Sequence, residues 1–462
     1  MSAQLNTAPT FPRELYTSLV SNVLFPLHER LKKHNSVARH RALEKSQWWT
    51  SDKIKALQFA RLKQLLIKVQ QHVPYYRALF LEVNFDPEKM TSLSDLAQIP
   101  FLTKAEIRAH TDALKADNAG ILARYNTGGS SGEPLIFYIG KDRVSHDVAA
   151  KWRATRWWDV DIGDKEIVVW GSPIELGAQD KKRAIRDKLF RTKLLPAFEM
   201  SKEKLDGFLA KIRQTRPKML FGYPSALSHF ARHAESRGLR MDDLGIKVAF
   251  VTSERLYDEQ RDQIAKTFGC QVANGYGGRD AGFIAHQCPQ GSMHITAEDI
   301  IVEIIDAQGK TVAAGESGEI VVTHLATGEF PFIRYRTGDI GVLGDTACPC
   351  GRGLPLLKEI QGRSTDFLIA QNGTVMHGLA LIYILRDLPQ VRAFKIIQES
   401  LDLTRVLVVL EVELDPELRM KIVQGFQARL GKDVEIQVEK VAEIPAEKSG
   451  KFRYVISKVG IK

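Results

Sequence analysis

Apolar positions in the first quarter of the chain recur at the spacing of an α-helix. The pattern is clearest in the run that ends at Pro74, whose apolar positions are Phe59, Leu62, Leu65, Leu66 and Val69. Residues three and four apart lie on one face of a helix, so this run predicts a helix with one buried side. The same texture extends from Phe11 to Ala116, and we predict that residues 1–120 are mainly helical.

Beyond Arg124 the pattern changes to short β-rich runs that alternate with helical stretches. The β-rich runs are Leu135–Ile139, Glu166–Trp170 and Lys247–Val251, and the helical stretches include 202–214 and 257–268. Such alternation predicts an α/β domain with a largely parallel sheet. From Ile300 to Leu343 the strand signals come closer together and carry glycine-rich turns, which predicts a small antiparallel β-subdomain.

After Asp366 the sequence pattern begins again as a compact α+β unit. A hairpin signal at Asn372-Gly373 precedes predicted elements that follow in order: helix 379–386, strands 393–397 and 405–410, helix 416–430 and strand 434–438. The predicted fold is therefore α/β. A large N-terminal domain over residues 1–366 has a helical start, mixed α/β sheets and the β-subdomain, and a small α+β C-terminal domain covers residues 367–462.

Composition places the chain among multi-domain globular proteins. Of 462 residues, 44% are hydrophobic and 26% charged, and no apolar run approaches the roughly 20 residues that span a bilayer. The first residues lack a secretory signal, so we predict a cytoplasmic protein without a transmembrane segment. The net charge of +10 has three possible explanations: a polyanionic binding partner, basic residues on solvated helix faces, or binding of ATP phosphates. Since nucleic-acid motifs are lacking, we predict no nucleic-acid partner.

A glycine- and hydroxyl-rich loop precedes the predicted strand at Leu135. Its candidate phosphate contacts are Thr127, Gly128, Gly129, Ser130, Ser131 and Gly132. Glycines let backbone N–H groups approach an anion, and hydroxyls add uncharged donors. The loop lacks the Lys of a Walker A motif. It also matches Gly-x-Ser-x-Gly, the nucleophile elbow of serine hydrolases, but an elbow requires a helix after the serine, where a strand is predicted. A plain flexible turn is the third interpretation.

Two charged residues are candidates for the same chemistry. Asp339, after a strand and a glycine, offers two acceptors suited to the paired ribose hydroxyls of ATP, although an isolated Thr-Gly-Asp more often caps a turn. Lys451 follows Ser449-Gly450 near the C-terminus. It can supply a mobile positive charge where an α-phosphate and a carboxylate meet, although a lysine of this kind can also be a surface residue.

The cysteines suggest a metal site or reduced thiols. Cys348 and Cys350 stand one residue apart beside Pro and Gly, and Cys288 and His294 form a second short group. Together they could bind structural Zn²⁺ as a Cys₃His set, although the spacing is not that of a zinc finger and unligated cytosolic thiols are the alternative. Cys270, before a predicted strand, is most simply a core residue.

Six short motifs, which include the glycine-rich loop, Asp339 and Lys451, follow one another in order over most of the chain. They are Thr127–Pro134, Thr252–Glu254, Asn274–Asp280, Tyr335–Asp339, Gly362-Arg363 with Asp366, and Ser449–Lys451. In this order the sequence resembles the adenylate-forming superfamily of acyl-CoA synthetases, and within it the branch of phenylacetate-CoA ligase and CapK. The segments Val73–Arg77 and Ile99–Lys104 also resemble that branch, so the likeness runs from about Leu57 to Arg453.

The resemblance implies a role for each motif. Tyr276 and Gly277 would lie at the adenine, and Ser253 and Glu254 would line the nucleotide pocket. Asp280 would lie near Mg²⁺, where the family has a glutamate that is one methylene longer. Arg363 and Asp366 would form the hinge between the domains. The implied mechanism has two steps: adenylation with Lys451 in the site, then rotation of residues 367–462 to admit the acceptor.

The implied function is ATP-dependent activation of a small carboxylic acid as acyl-AMP, followed by transfer to coenzyme A. One alternative acceptor is a sugar or lipid hydroxyl or amine in capsule or envelope polysaccharide biosynthesis. A second alternative is a non-catalytic nucleotide-binding protein on the same fold, which Asp280 and the apolar stretch at Leu379 favour. The acid pocket is expected at Trp170–Pro173 and Phe221–Ser225, unless these stretches are core packing.

Overall fold

The computed structural model describes residues 14–126, 135–170, 181–196, 202–363, 367–372, 375–377, 379–444 and 454–459. The helices in these ranges include none that is both long and apolar enough to cross a membrane. The chain divides into two compact units. The first contains the residues up to 303 with 321–336 and 344–358, and the second contains 304–320, 337–343 and 359–462.

The first unit begins with the predicted helices. They are α1 (Leu15–Leu19), a π turn (Val20–Leu24), α2 (Phe25–Leu31), α3 (Ser36–Ser46), α4 (Ser51–His72), α5 (Pro74–Glu82) and α6 (Lys104–Ala109). Two 3₁₀ turns, Pro87–Lys89 and Leu93–Gln98, lie between α5 and α6. The helical start of the chain is confirmed.

Helix α4 shows how the apolar pattern determines packing. Its buried positions are Ile54, Gln58, Leu62, Leu65, Leu66 and Val69. Phe59 is only half-buried, whereas Gln58 is buried and its amide donates a hydrogen bond to the carbonyl of Ile300 over 3.1 Å. Pro74 begins α5 as well as ending α4, because a proline at the first helical position gives up no intrahelical hydrogen bond.

A seven-stranded mixed sheet carries most of the first unit. Its strands are β3 (Glu166–Trp170), β4 (Thr192–Pro196), β5 (Met219–Gly222), β6 (Val248–Thr252), β7 (Gln271–Gly278), β8 (Gly282–Gln287) and β9 (Met293–Ile295). Their order is β4-β3-β5-β6-β7-β8-β9. The first five are parallel, and β8 and β9 extend the sheet antiparallel. The predicted largely parallel sheet is confirmed.

Helices connect these strands and bury one of the main cores. They are α7 (Lys141–Arg156), α8 (Lys181–Leu189), α9 (Lys202–Thr215), α10 (Pro224–Ser236) and α11 (Asp258–Phe268). Apolar residues of β3, β5 and β6 pack with Leu209 of α9 and Phe230 of α10. Gly222 is required where β5 passes β3, because a Cβ atom there would lie 2.2 Å from the carbonyl oxygen of Val169.

The parallel strands bring several predicted site segments to one edge of this sheet. Strand β3 ends at Trp170, β5 ends at Gly222 and β6 ends at Thr252. Carboxyl ends of parallel strands meet at one edge, which is where open α/β sheets bind ligands. The first unit therefore presents its candidate nucleotide and acid segments from adjacent strand ends.

Two smaller sheets accompany the main one. Strands β1 (Ala123–Asn126) and β2 (Ile136–Ile139) form an antiparallel pair. The strands β10 (Ile300–Ile305), β11 (Ser317–His324), β12 (Tyr335–Leu343) and β13 (Leu357–Arg363) form a four-stranded sheet in chain order. A separate small sheet is thus present where the β-subdomain was predicted.

The remainder of the second unit has the predicted α+β elements. They are β14 (Phe367–Ile369), β15 (Val375–His377), α12 (Leu379–Arg386), β16 (Val391–Gln398), β17 (Leu403–Leu410), α13 (Pro416–Leu430), β18 (Glu435–Lys440) and β19 (Val455–Ser457). The sheet order is β18-β17-β16-β19, and β14 and β15 form the predicted hairpin. The predicted domain boundary at Asp366 lies outside the described residues and stays a prediction.

A buried ion pair links α7 to the segment before β10, and a serine of the helical start joins it. The Arg153 guanidinium of α7 contacts the Glu298 carboxylate at 2.6 Å, and each side chain is 1% exposed. The Ser46 hydroxyl, at the end of α3, donates a second hydrogen bond to the same carboxylate oxygen over 2.6 Å. Because both charges are out of water, each depends on the other for compensation.

We predict that Glu298→Ala lowers the free energy of unfolding by about 3–5 kcal/mol, because it leaves the Arg153 charge buried without its partner. Denaturant unfolding of the full chain measures the change. The matched control is Glu417→Ala, which removes an exposed partner of Lys421 and should leave the unfolding midpoint unchanged. An equal loss in both variants would contradict a special role for the buried pair.

Candidate functional site

Several predicted site residues lie outside the described residues. These are the phosphate loop Thr127–Gly132, the hinge residue Asp366 and the catalytic candidate Lys451. For Arg363 only the backbone is described, as the last residue of β13. The geometry that follows concerns the remaining candidates.

Strands β1 and β2 frame the predicted phosphate loop. Asn126 pairs with Ile136 across the antiparallel register, so the two strands hold the ends of the loop side by side. The Arg279 guanidinium donates a hydrogen bond to the Asn126 carbonyl over 3.4 Å. The entrance of the phosphate loop is thereby joined to the Asn274–Asp280 motif. Because a strand follows the loop, the strand-turn-helix of a serine-hydrolase elbow is excluded.

The Tyr276–Asp280 segment includes the end of β7 and most of the tight turn to β8. The register shifts between Tyr276 and Gly277. A Cβ atom on Gly277 would lie 2.1 Å from the carbonyl oxygen of Gly282, so only glycine fits there. Tyr276 is half-buried on β7. Tyr276 thus lies near the end of β7, and Asp280 lies in the turn that follows it.

Both carboxylate oxygens of Asp280 have hydrogen-bond donors. The Ala281 N–H donates to Oδ1 over 3.0 Å, and the hydroxyl of buried Tyr335 donates to Oδ2 over 2.6 Å. Each oxygen keeps further lone-pair capacity, as a carboxylate offers about four acceptor positions. The half-buried Asp280 side chain is therefore held in one orientation and still presents hard oxygen atoms of the kind that bind Mg²⁺.

A buried arginine that sequence reasoning missed supports this turn from behind. The Arg143 guanidinium of α7 donates to the carbonyls of Arg279 and Asp280, over 3.2 and 3.0 Å. Asp147, one helical turn later, accepts hydrogen bonds from Arg143 Nε with both oxygens. The sequence shows only an Arg-Asp pair four residues apart, which is common on helix surfaces. Nothing in that pattern indicates that this arginine is buried under the Asp280 turn.

Ser253 and Glu254 follow the carboxyl end of β6. Ser253 has a φ of +71°, a left-handed conformation that a non-glycine residue adopts at some cost and that recurs at functional sites. The Glu254 carboxylate accepts a hydrogen bond from the Ser225 N–H over 3.3 Å, at the start of α10. The predicted nucleotide segment therefore contacts the predicted acid-pocket segment.

The aromatic residues expected at the acid pocket differ in how deeply they are buried. Trp170 stacks on Tyr223 with ring centroids 4.5 Å apart, and its ring centroid is 6.2 Å from that of Phe221. Tyr223 belongs to the buried core, whereas Trp170 is only partly buried at its edge. Core packing is thus shown for Tyr223, and the acid pocket at these stretches stays a prediction. Residues 171–173 lie outside the described part of the chain.

Asp339 belongs to the second unit and lies inside β12. Its N–H donates to the Thr337 hydroxyl over 3.1 Å, and the preceding Gly338 has a φ of +77°. The side chain is half-buried. Strand β12 continues on both sides of Asp339, and its role as a ribose ligand stays a prediction.

The four residues predicted to bind zinc converge in the first unit. The Sγ atoms of Cys288 and Cys348 are 3.7 Å apart, and the Cys350 Sγ is 3.2 Å from His294 Nε2. All four ligand atoms lie within 4.8 Å of one another, and the cysteines are free. A disulfide would need sulfurs about 2 Å apart, whereas two thiolates on a tetrahedral Zn²⁺ with Zn–S near 2.3 Å lie about 3.8 Å apart.

Burial raises the pKa of the Cys288 thiol to about 12, which a bound cation would have to overcome, whereas two other members of the cluster suit a cation as they stand. Burial lowers the pKa of His294 to about 4, so its imidazole is neutral, the form that ligates metals. Burial opposes ionisation of Cys348, but hydrogen bonds from Ser292 and from the Cys350 N–H hold its pKa below the usual value. The Arg352 guanidinium packs between Trp48 and Trp157 and would offset the surplus negative charge of three thiolates around one Zn²⁺.

A second group of close histidine and aspartate side chains does not suit a metal. His146, Asp147 and His324 lie near one another. However, His324 Nδ1 accepts the Ala326 N–H over 3.2 Å, so the neutral ring carries its proton on Nε2 and has no lone pair there. Burial, with Arg143 nearby, holds the pKa of His324 well below its usual value. The Asp147 carboxylate is already paired with the Arg143 guanidinium.

Known proteins resemble this chain in sequence and fold. Residues 368–458 match the family described as the CapK C-terminal domain. Protein CapK of Staphylococcus aureus is 24% identical over 87% of this chain and 89% of its own length. The phenylacetate-coenzyme A ligase of Thermus thermophilus is 27% identical over 83% of this chain and 84% of its own length.

The likeness extends to the fold. The solved structure of 2-hydroxyisobutyryl-CoA ligase, in the postadenylation state with 2-HIB-AMP, aligns with a TM-score of 0.72 at 22% identity, over 89% of this chain and 90% of that one. The sequence relatives and the fold together support one conclusion. The chain therefore has the fold of the adenylate-forming CoA ligases, and it resembles phenylacetate-coenzyme A ligase and protein CapK in sequence over most of its length.

Proposed function

We propose that this enzyme activates a small carboxylic acid with ATP as an acyl-adenylate and then transfers the acyl group to coenzyme A. One observation carries the proposal for the first half-reaction. Arg279, inside the Asn274–Asp280 motif, donates its hydrogen bond to the last residue of β1. Two segments with nucleotide-binding character are thereby anchored to each other, as a site that spans adenine and phosphates requires.

The proposed roles follow from the chemistry of each segment. Thr127–Gly132 hold the phosphates through backbone N–H groups and hydroxyls. Tyr276 lies against the adenine, beside Gly277, and Asp339 accepts hydrogen bonds from the ribose hydroxyls. Ser253 and Glu254 line the nucleotide pocket where it meets the aromatic wall at Trp170. With these roles, the carboxylic acid substrate would lie next to the α-phosphate of ATP.

Asp280 is the residue that would hold Mg²⁺. The Tyr335 hydroxyl and the Ala281 N–H fix its carboxylate, and Arg143 fixes its backbone. When bound, Mg²⁺ supplies positive charge that neutralises the phosphate oxygens. A fixed orientation compensates for the shorter side chain, because less conformational freedom is lost when the ion binds.

Lys451 is the proposed source of positive charge at the reacting centre. Attack of a carboxylate on the α-phosphate brings two anions together, and a cation at that point stabilises the charge that develops in the transition state. Lys458, a nearby alternative, pairs with Glu399. In the second step Arg363 and Asp366 act as the hinge, and residues 367–462 withdraw Lys451 to admit the acceptor.

A second acceptor class has support of its own. The match of residues 368–458 to the CapK C-terminal domain lies in the part of the chain that would present the acceptor. A sugar or lipid hydroxyl or amine, in capsule or envelope polysaccharide biosynthesis, is therefore the second candidate. Both candidates share the adenylation step and differ only in what attacks the acyl-adenylate.

We expect pyrophosphate release that requires both ATP and an acid from a panel of small carboxylic acids. Hydroxylamine should trap the product as a hydroxamate, because an acyl-adenylate is a reactive mixed anhydride. Coenzyme A should replace hydroxylamine and give a thioester detectable by mass spectrometry. Hydroxamate without thioester would reject coenzyme A and favour the second acceptor class, while no hydroxamate with any acid would reject the function.

We predict that Lys451→Ala lowers the rate of hydroxamate formation by about a hundredfold or more, since it removes a charge that acts in the transition state. ATP binding, measured by equilibrium titration, should change little because the other nucleotide contacts remain. Lys448→Ala is the matched control in the same segment and should keep the wild-type rate. Equal rates for wild type and Lys451→Ala would remove this lysine from the mechanism.

We also propose that Cys288, His294, Cys348 and Cys350 bind one structural Zn²⁺. Cys288 follows β8, His294 lies in β9, and Cys348 and Cys350 lie in one turn, so the ion would crosslink the β8–β9 hairpin to the 348–350 turn. With four protein ligands and no open position, the site would stabilise the fold without taking part in the reaction.

We predict that the purified protein contains about one zinc per chain by elemental analysis. Cys350→Ser should lose the metal and unfold at a lower temperature. The control Cys270→Ser should retain the zinc, because Cys270 lies outside the cluster. A metal-free protein whose melting temperature a chelator does not change would reject the site.

A further inference from the structure

The N-terminal helical segment Leu15–Leu31 turns its aliphatic side chains outward. Leu15, Leu19, Val23, Leu27 and Leu31 are between 46% and 90% exposed. We call these five residues the aliphatic stripe. Isolated exposed apolar residues are ordinary, but a contiguous row of five marks an interaction surface.

The inward face of the same segment is the more polar one. Its buried positions include Thr17, Ser21, Phe25 and Glu29. The Thr17 hydroxyl donates to the Asp164 carboxylate over 2.7 Å, and the Glu29 carboxylate accepts from the Ser36 hydroxyl. Polar contacts with the rest of the unit therefore fix the orientation of the segment, and the leucines face outward as a consequence.

The π turn helps to keep the stripe on one side. In an uninterrupted α-helix, positions four residues apart drift by about 40° per step around the axis. The i→i+5 bonds of the π turn at Val20–Leu24 widen the middle of the segment and reduce this drift. Insertions of this kind inside helices often occur at functional sites.

The surroundings of the stripe are apolar and basic. The Tyr16 hydroxyl donates to the Leu189 carbonyl, which brings exposed Leu189 and Ile185 of α8 beside the segment. Basic side chains next to these residues along the chain are exposed, at Arg30, Lys32, Lys33 and Lys188, and we call them the basic border.

Nearby acids do not neutralise this border. Glu14 pairs with Arg191 at 2.8 Å and Asp187 pairs with Arg186 at 2.5 Å. Glu29 is buried. Among the described residues of 14–33 and 184–191, the exposed positive charges therefore exceed the unpaired negative ones.

We propose that the aliphatic stripe and its basic border bind the surface of an anionic membrane, with the helix lying in the plane of the interface. Aliphatic side chains enter the boundary between headgroups and acyl chains, and lysines and arginines at the same level attract acidic lipids. Protein interfaces rely on exposed aromatic and arginine anchors at their centre, and the stripe has aliphatic residues only. The chemistry thus favours a lipid surface over a protein partner.

Flotation of the full chain with vesicles tests the proposal. Vesicles of phosphatidylcholine and phosphatidylglycerol in equal parts should carry the protein, and vesicles of phosphatidylcholine alone should carry much less. A triple variant, Leu19→Gln with Val23→Gln and Leu27→Gln, should reduce vesicle binding roughly tenfold or more, because three apolar anchors are lost. Since these side chains are exposed, the melting temperature should not fall.

Two further variants separate the contribution of the basic border from that of the aliphatic stripe. Lys32→Glu with Lys33→Glu should weaken binding to the anionic vesicles and leave the weak binding to neutral vesicles unchanged. Leu81→Gln replaces an exposed leucine on α5, outside the stripe, and is the matched control that should bind as wild type does. Equal vesicle binding of the triple variant and the wild type would overturn the proposal. A wild type that binds no vesicles and forms a dimer, which the triple variant converts to a monomer, would overturn it in favour of a second copy.

Discussion

The packing of the first unit depends on neutralising two adjacent buried acids, Glu298 and Asp299. Moving a carboxylate out of water costs several kcal/mol unless partners compensate it. Arg153 compensates Glu298, and Asp299 has Arg61 at 2.6 Å and His146 Nδ1 at 3.0 Å. Burial alone would raise the pKa of Asp299, but the hydrogen bond from His146 and the nearby arginines hold it far below its usual value. Helices α4 and α7 are therefore tied to one point before β10.

This constraint extends to the candidate magnesium ligand. Helix α7 carries His146 and Arg153, which bind the two acids, and it also carries Arg143, which holds the backbone of the Asp280 turn. The position of α7 is thus determined by charge neutralisation at His146 and Arg153, and the same helix supports the turn through Arg143. Asp280 is one methylene shorter than the glutamate of the family. Its placement therefore depends more on this backbone support than a longer, adaptable side chain would.

The sequence predicted the elements whose signals are local. The bounds of α13 follow from Asp415, which accepts the Leu418 N–H, from Pro416 at the first position and from Gly431 after the end. The cysteine and histidine cluster was predictable because two short motifs supply all four ligands. The charged cluster was not, since Arg153 and Glu298 are 145 residues apart and only the fold brings them together. The same holds for Arg143 and for the hydrogen bond of Gln58 to the Ile300 carbonyl.

In the N-terminal segment, as at the buried acids, the polar groups that are buried have hydrogen-bond partners. Hydrophobic periodicity alone would turn Leu19 and Leu27 inward, and it gives the wrong face here. Thr17 and Glu29 instead lie inward, where they form hydrogen bonds with Asp164 and Ser36. An unpaired polar group left in that interior would cost about as much as burying a leucine gains. The balance between these two costs determines which face of a short helix is buried, and in this chain it leaves an aliphatic face on the surface.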